Sequence, residues 1–153
     1  MTAIETARTS VPELMNPPGG ASRVFPAILA SGRDFRAMVV TELTGNGDTE
    51  AVELVAAEFA ANVTRHTDSV NFLGGAALLP GKDSAILYTV DSSLQLPFIK
   101  HAANDAESGR GLNIVDQITG GRWGSTTKVP EWIAPLYPNP EKLVYAITPL
   151  QVA

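Results

Sequence analysis

The clearest periodicity lies over residues 52–66, VELVAAEFAANVTRH. Val52, Val55, Ala56, Phe59 and Val63 recur at i, i+3, i+4, i+7 and i+11, which is one face of an α-helix turned into a core. At about 100° per residue, Glu58, Asn62 and Arg65 gather on an adjacent stripe. A carboxylate, an amide and a guanidinium therefore project together from the border of the apolar face. By itself such a stripe is more often a solvated helix face than a site, so its meaning depends on what the rest of the chain brings to it.

The other elements follow from the same reading. Residues 1–21 contain Asn16-Pro17-Pro18-Gly19-Gly20 and no sustained period, which predicts a mobile arm ending in a turn. Residues 23–29, RVFPAIL, read as a strand that Pro26 confines to an edge or a bulge, because proline cannot donate to a ladder. Phe35, Met38, Val39 and Leu43 predict a helix over 31–43, ended by Gly45-Asn46-Gly47. Asp48 or Thr49 caps the next helix, with Glu50 and Glu53 near its positive end. Apolar runs at 76–79 and 85–90 flank Pro80-Gly81-Lys82-Asp83 and predict a β-hairpin. That hairpin delivers Asp91 where the chain leaves the sheet and a side chain can face a cleft.

Residues 92–108 mix small, turn-forming and charged side chains and read as a flap holding a short helix. Gly109-Arg110-Gly111 reads as a glycine turn that opens a helix over 112–119, with Leu112, Val115 and Ile118 as its stripe and Gly120-Gly121 as its stop. Strands are expected at 122–129 and 142–148, joined by a Pro-rich loop carrying Trp132 and Tyr137. Residues 22–153 then form a single domain.

Composition narrows the function classes. A chain of 153 residues buries about two-thirds of its unfolded surface on folding, enough for a full core. Its apolar runs fall well short of the ~20 residues a membrane span needs, and MTAIETARTS lacks a secretory apolar core led by lysine or arginine, so a cytoplasmic protein is expected. The absence of cysteine excludes disulfides, thiol catalysis and thiolate metal sites. With only His66 and His101, no multi-histidine zinc site is expected, and neither histidine is assigned a chemical role. A formal charge of −5 argues against direct nucleic-acid or anionic-membrane binding, while Arg110, Arg122 and Lys128 leave room for a local positive pocket.

Several residue types carry chemistry in an order that suits a nucleotide. Glycines ahead of a helix expose unpaired N–H groups and let a phosphate approach the backbone; alone, Gly109-Arg110-Gly111 is as well explained as a turn. Asp91 is an acceptor for an exocyclic amino group, as adenine offers, or a strand-end turn residue. Asn62 has a carbonyl oxygen suited to Mg²⁺, which is commonly shared with nucleotide phosphates, or is simply a polar helix position. Glu58, one turn earlier, is placed to orient or deprotonate an attacking hydroxyl.

Together E-F-A-A-N at 58–62, D-S-S-L-Q-L-P at 91–97, S-G-R-G-L-N-I-V at 108–115 and R-W-G at 122–124 resemble the GHKL ATP-binding family, in its anti-sigma-factor and serine-kinase branch. The resemblance covers roughly residues 23–150. It implies an α/β sandwich of the Bergerat type: a mixed, mostly antiparallel sheet covered on one face by helices, with Mg-ATP held between the helices and a mobile lid at about 92–108. On that template Glu58 matches the catalytic base, Asn62 the magnesium-ligating asparagine, Asp91 the adenine-reading aspartate, and Gly109 and Gly111 the phosphate-loop glycines, with Arg110 and Leu112 in the same loop. The implied activity is transfer of the ATP γ-phosphate to a serine of an antagonist protein, together with sequestration of a sigma factor; a homodimer is left open. A second reading is a non-catalytic interaction module of the same fold. The chain departs from the family pattern at Ser93, where many relatives have glycine, at Glu141-Lys142, where many have Gly-Lys, and in a longer Pro-rich link before them.

Overall fold

The computed structural model describes residues 11–93 and 106–150. They form an α+β sandwich of three helices and a five-stranded sheet. The strands are β1 (Ala21–Pro26), β2 (Asn71–Leu78), β3 (Ser84–Asp91), β4 (Trp123–Thr126) and β5 (Lys142–Pro149). Their order is β1-β2-β3-β5-β4 and every neighbouring pair among the described residues is antiparallel, in line with the mostly antiparallel sheet of the expected sandwich. The helices are α1 (Ala30–Leu43), α2 (Glu50–His66) and α3 (Ala106–Thr119).

All three helices pack on one face. Phe35, Val39 and Leu43 of α1 and Val52, Val55, Ala56, Phe59 and Val63 of α2 are buried in one cluster with Phe25, Phe72, Ala76, Leu87, Val144 and Ala146 of the sheet. Alternation along the strands turns Ala85 and Leu87 toward the helices and Ile86, Tyr88 and Val90 away from them. At the start of α2, the Asp48 carboxylate accepts the Glu50 N–H at 2.9 Å, and the Thr49 hydroxyl donates to Glu53 at 2.9 Å. These contacts fix where the helix begins.

The opposite face is covered as well. Val11 and Leu14, together with Ile133 and Tyr137 from the Pro-rich link, bury Leu73, Ala77, Ile86, Tyr88, Leu143 and Ile147. Val11 and Leu14 are therefore packed against the sheet, while residues 15–20 are largely exposed. Pro12–Leu14 makes a short 3-10 turn, and the Trp132 indole N–H donates to the Leu14 carbonyl at 2.8 Å. Gly20, at φ +73°, turns the segment into β1, and a Cβ there would lie 2.8 Å from the Ala77 Cα.

β2 begins at Asn71, ahead of the apolar run that predicted it. Its Gly74-Gly75 pair is a packing requirement: a Cβ on Gly74 would sit 2.8 Å from the Phe35 ring on the helix face, and one on Gly75 would overlap Tyr88 on the other. No helix among the described residues is long and apolar enough to cross a membrane.

Candidate functional site

α2 ends at His66, and residues 67–70 lead directly into β2 at Asn71. The C-terminal turns of α2 therefore lie at the end of the sheet where β3 finishes and β5 starts. Asp91, the last residue of β3, is the cross-strand partner of Lys142, the first of β5. Both continue the alternation of their strands on the helix-facing side, Asp91 after Leu87 and Lys142 before Val144 and Ala146. The asparagine stripe of α2 and the strand-end aspartate thus share one end of the sandwich.

Asp91 and Lys142 are the defining pair there. Their side chains are 1% and 0% exposed, with Nζ 3.5 Å from Oδ2. Asp91 Oδ1 accepts the Ser93 N–H at 2.9 Å, whereas Oδ2 has no hydrogen-bond partner among the described residues. Burial raises the Asp91 pKa, opposed by the Lys142 charge and the Ser93 N–H; burial lowers that of Lys142, opposed by Asp91. Exposed Asp68, in the link after α2, adds negative charge to both. Lys142 is the site residue that sequence reasoning missed. The residue pair was visible, but the register that sets the two opposite each other was not.

The strand ends are tied together below this pair. Ser69 Oγ donates to the Asn71 carbonyl at 2.7 Å and accepts the Ser92 N–H at 3.1 Å. The Tyr137 hydroxyl donates to the same Asn71 carbonyl at 2.9 Å and lies 3.2 Å from Ser69 Oγ. The Pro-rich link is thereby joined to the point where the chain leaves β3.

On α2, Glu58 and Asn62 are half-buried and Arg65 is exposed, as a stripe bordering the core face requires. Burial raises the Glu58 pKa and the Arg65 charge opposes it. A carboxyl so placed holds its proton more readily than a solvated one, which is the direction a general base working near neutrality needs.

Gly109, Arg110 and Gly111 do not precede a helix. α3 starts at Ala106, so they occupy its first two turns. Ala106, Glu107 and Ser108 are compatible with an early start, and two glycines cost a helix about 1 kcal/mol each without ending it. Leu112 and Val115 are buried in the helix-side core as the stripe predicts. The helix is also pinned to β4, where the Trp123 indole N–H donates to Asp116 at 2.9 Å. The greater part of the expected lid, residues 94–105 with His101, lies outside the described residues.

The described residues hold no group of three or more histidine, aspartate or glutamate side chains that would cage a metal ion. A Mg²⁺ ion here would rest on Asn62 and on the phosphates of a nucleotide, the sharing usual for this cation. The chain matches no protein-family model and no curated protein sequence.

Proposed function

We propose that this protein is an ATP-binding regulator of the GHKL type that phosphorylates a serine of an antagonist protein and sequesters a sigma factor or a similar regulator. The observation that carries the reading is Asp91: a carboxylate 1% exposed at a strand end, on the helix-facing side, with one oxygen lacking a hydrogen-bond partner among the described residues. Buried acceptors are seldom left in that condition, and an adenine amino group is a donor of the right kind. Asn62 at the same end of the sandwich would hold Mg²⁺, and the free N–H groups of the first turn of α3, which begins at Ala106, would take the phosphates. ATP supplies the transferable phosphoryl group and Mg²⁺ the neutralising charge. Glu58 takes the serine hydroxyl proton.

Calorimetric titration with Mg-ATP tests this. Micromolar binding that Asn62→Ala and Asp91→Ala each abolish, in variants that stay folded, is expected. Glu58→Ala keeps binding and loses phosphoryl transfer to the antagonist. One observation favours a non-catalytic module instead: Asp91 already has a buried cation beside it in Lys142. A wild-type protein that fails to bind ATP at millimolar concentration decides for that module.

A further inference from the structure

A cavity of about 400 Å³ opens on the face of the sheet away from the helices, between residues 11–17 and the start of the Pro-rich link. Its floor holds Thr126 of β4 and Leu143 of β5, cross-strand partners whose side chains leave the sheet on the same side, Leu143 within the rear core. Met15 and Trp132 wall it. Met15 is 61% exposed, an apolar side chain left to solvent at the mouth. Trp132 is fixed, its indole N–H on the Leu14 carbonyl at 2.8 Å and its ring edge-on to Tyr88. Lys128 and Glu131 line the cavity from the link, both exposed. They make no ion pair with each other, and neither has an ion-pair partner among the described residues. We propose that this cavity binds a free amino acid with a large apolar side chain, Lys128 taking its carboxylate, Glu131 its ammonium, and the apolar chain covering Met15 and Trp132. The site goes beyond the nucleotide reading and does not depend on it.

The charges select the ligand. A simple anion drawn to Lys128 meets Glu131, and a simple cation drawn to Glu131 meets Lys128; a zwitterion with its two charges one carbon apart satisfies both. The backbone that carries them is already set. The Lys128 N–H donates to the Thr126 hydroxyl at 3.0 Å, and Glu131 opens the 3-10 turn Glu131–Ile133, its carbonyl accepting the Ala134 N–H at 3.3 Å. Binding therefore orders two side chains and no loop, which keeps its entropic cost low. The volume suits a small molecule with an apolar body. Ion pairs at an exposed lip each contribute only a few-fold in affinity, so the larger share comes from the apolar chain removed from water against Met15 and Trp132.

The experiment titrates the full chain with L-phenylalanine and follows the two indole N–H resonances by NMR, assigned with W132F. Trp132 is expected to shift and saturate with a Kd of about 1 mM. Trp123, buried on the helix side of the sheet, is expected to stay in place. Glycine carries both charges without the apolar chain and should leave Trp132 unshifted at the same concentration. N-acetyl-L-phenylalanine, which lacks the ammonium, and L-phenylalaninamide, which lacks the carboxylate, should each bind roughly 3- to 5-fold more weakly than L-phenylalanine. In K128A the ratio between L-phenylalanine and its amide should fall to about 1, and in E131A the ratio between L-phenylalanine and its N-acetyl form should do the same. Both side chains are exposed, so these variants keep the fold, which circular dichroism checks. No saturable shift of Trp132 up to about 10 mM, an equal shift from glycine, or ratios that K128A and E131A leave unchanged overturns the site. None of these outcomes bears on ATP binding, which the nucleotide titration decides.

Discussion

Leu14→Ala probes the layer that covers the far side of the sheet. Leu14 is 0% exposed, and its neighbours in the cluster include Tyr88 of β3 and Ile133 of the Pro-rich link. Truncating a fully buried leucine costs roughly 2–5 kcal/mol, because the lost transfer energy is joined by a cavity that closes only in part. The backbone bond from the Trp132 indole to the Leu14 carbonyl survives the change, so the segment can stay docked and the cost should fall near about 3 kcal/mol. For a chain of this size that corresponds to a drop of roughly 6–12 °C in Tm. Urea unfolding should show the loss as a lower midpoint at unchanged slope, since the same surface is exposed on unfolding. Met15→Ala, at a position 61% exposed, is the control and should change stability by less than about 0.5 kcal/mol. If Leu14→Ala costs no more than Met15→Ala, residues 11–14 are not part of the folded core and the second layer does not exist in solution.

Two pH dependences follow from buried groups. Burial raises the Glu58 pKa above the usual 4.5, so the folded protein binds this proton more tightly than the unfolded chain does. Its stabilising contribution is present below pH 4.5 and lost as pH rises through the folded value; in urea unfolding from pH 4 to 7, Glu58→Gln should gain stability relative to wild type, and a constant difference would refute this. The Tyr88 phenol is pushed up to about 12 by burial, with a bond to Ser22 opposing. The unfolded chain ionises this group first, so wild type should lose roughly 1 kcal/mol between pH 9 and 11 that Tyr88→Phe does not lose, and parallel curves would count against the burial of that hydroxyl.

The legible parts of the fold were those written in apolar periodicity. The stripe of α2 is buried as its spacing requires, and β3 runs through the segment that its apolar run marked. What failed to show were features fixed by partners distant in sequence. Gly74-Gly75 look like an interruption until Phe35 and Tyr88 are set against them from opposite faces, which is why the apolar run marks only the second half of β2. Residues 11–14 have no period of their own, because two short contacts, Val11 and Leu14, dock them on a surface that exists only once the sheet has formed. In the candidate site, Glu58 and Asn62 were legible since helical geometry alone sets them on one stripe. The Asp91–Lys142 pair depends on strand register, which residue types do not encode locally.

That same pair explains why the back of the sheet matters to its front. Asp91, Ser93 and Lys142 stand on strand ends, and strand ends fray unless something holds them. Here Tyr137 of the Pro-rich link bonds the Asn71 carbonyl at 2.9 Å, Ser69 joins Asn71 to Ser92, and the Glu141 N–H donates to the Asp91 carbonyl at 2.9 Å. The link is held in turn by Ile133 in the rear core and by Trp132, which stands edge-on to Tyr88 with ring centroids 5.9 Å apart. A stretch that reads in sequence as an overlong connection is thus the brace that sets the positions of Asp91 and Lys142. Asp91 and Lys142 stay opposite each other only if both strand ends hold, and the second layer is what holds them.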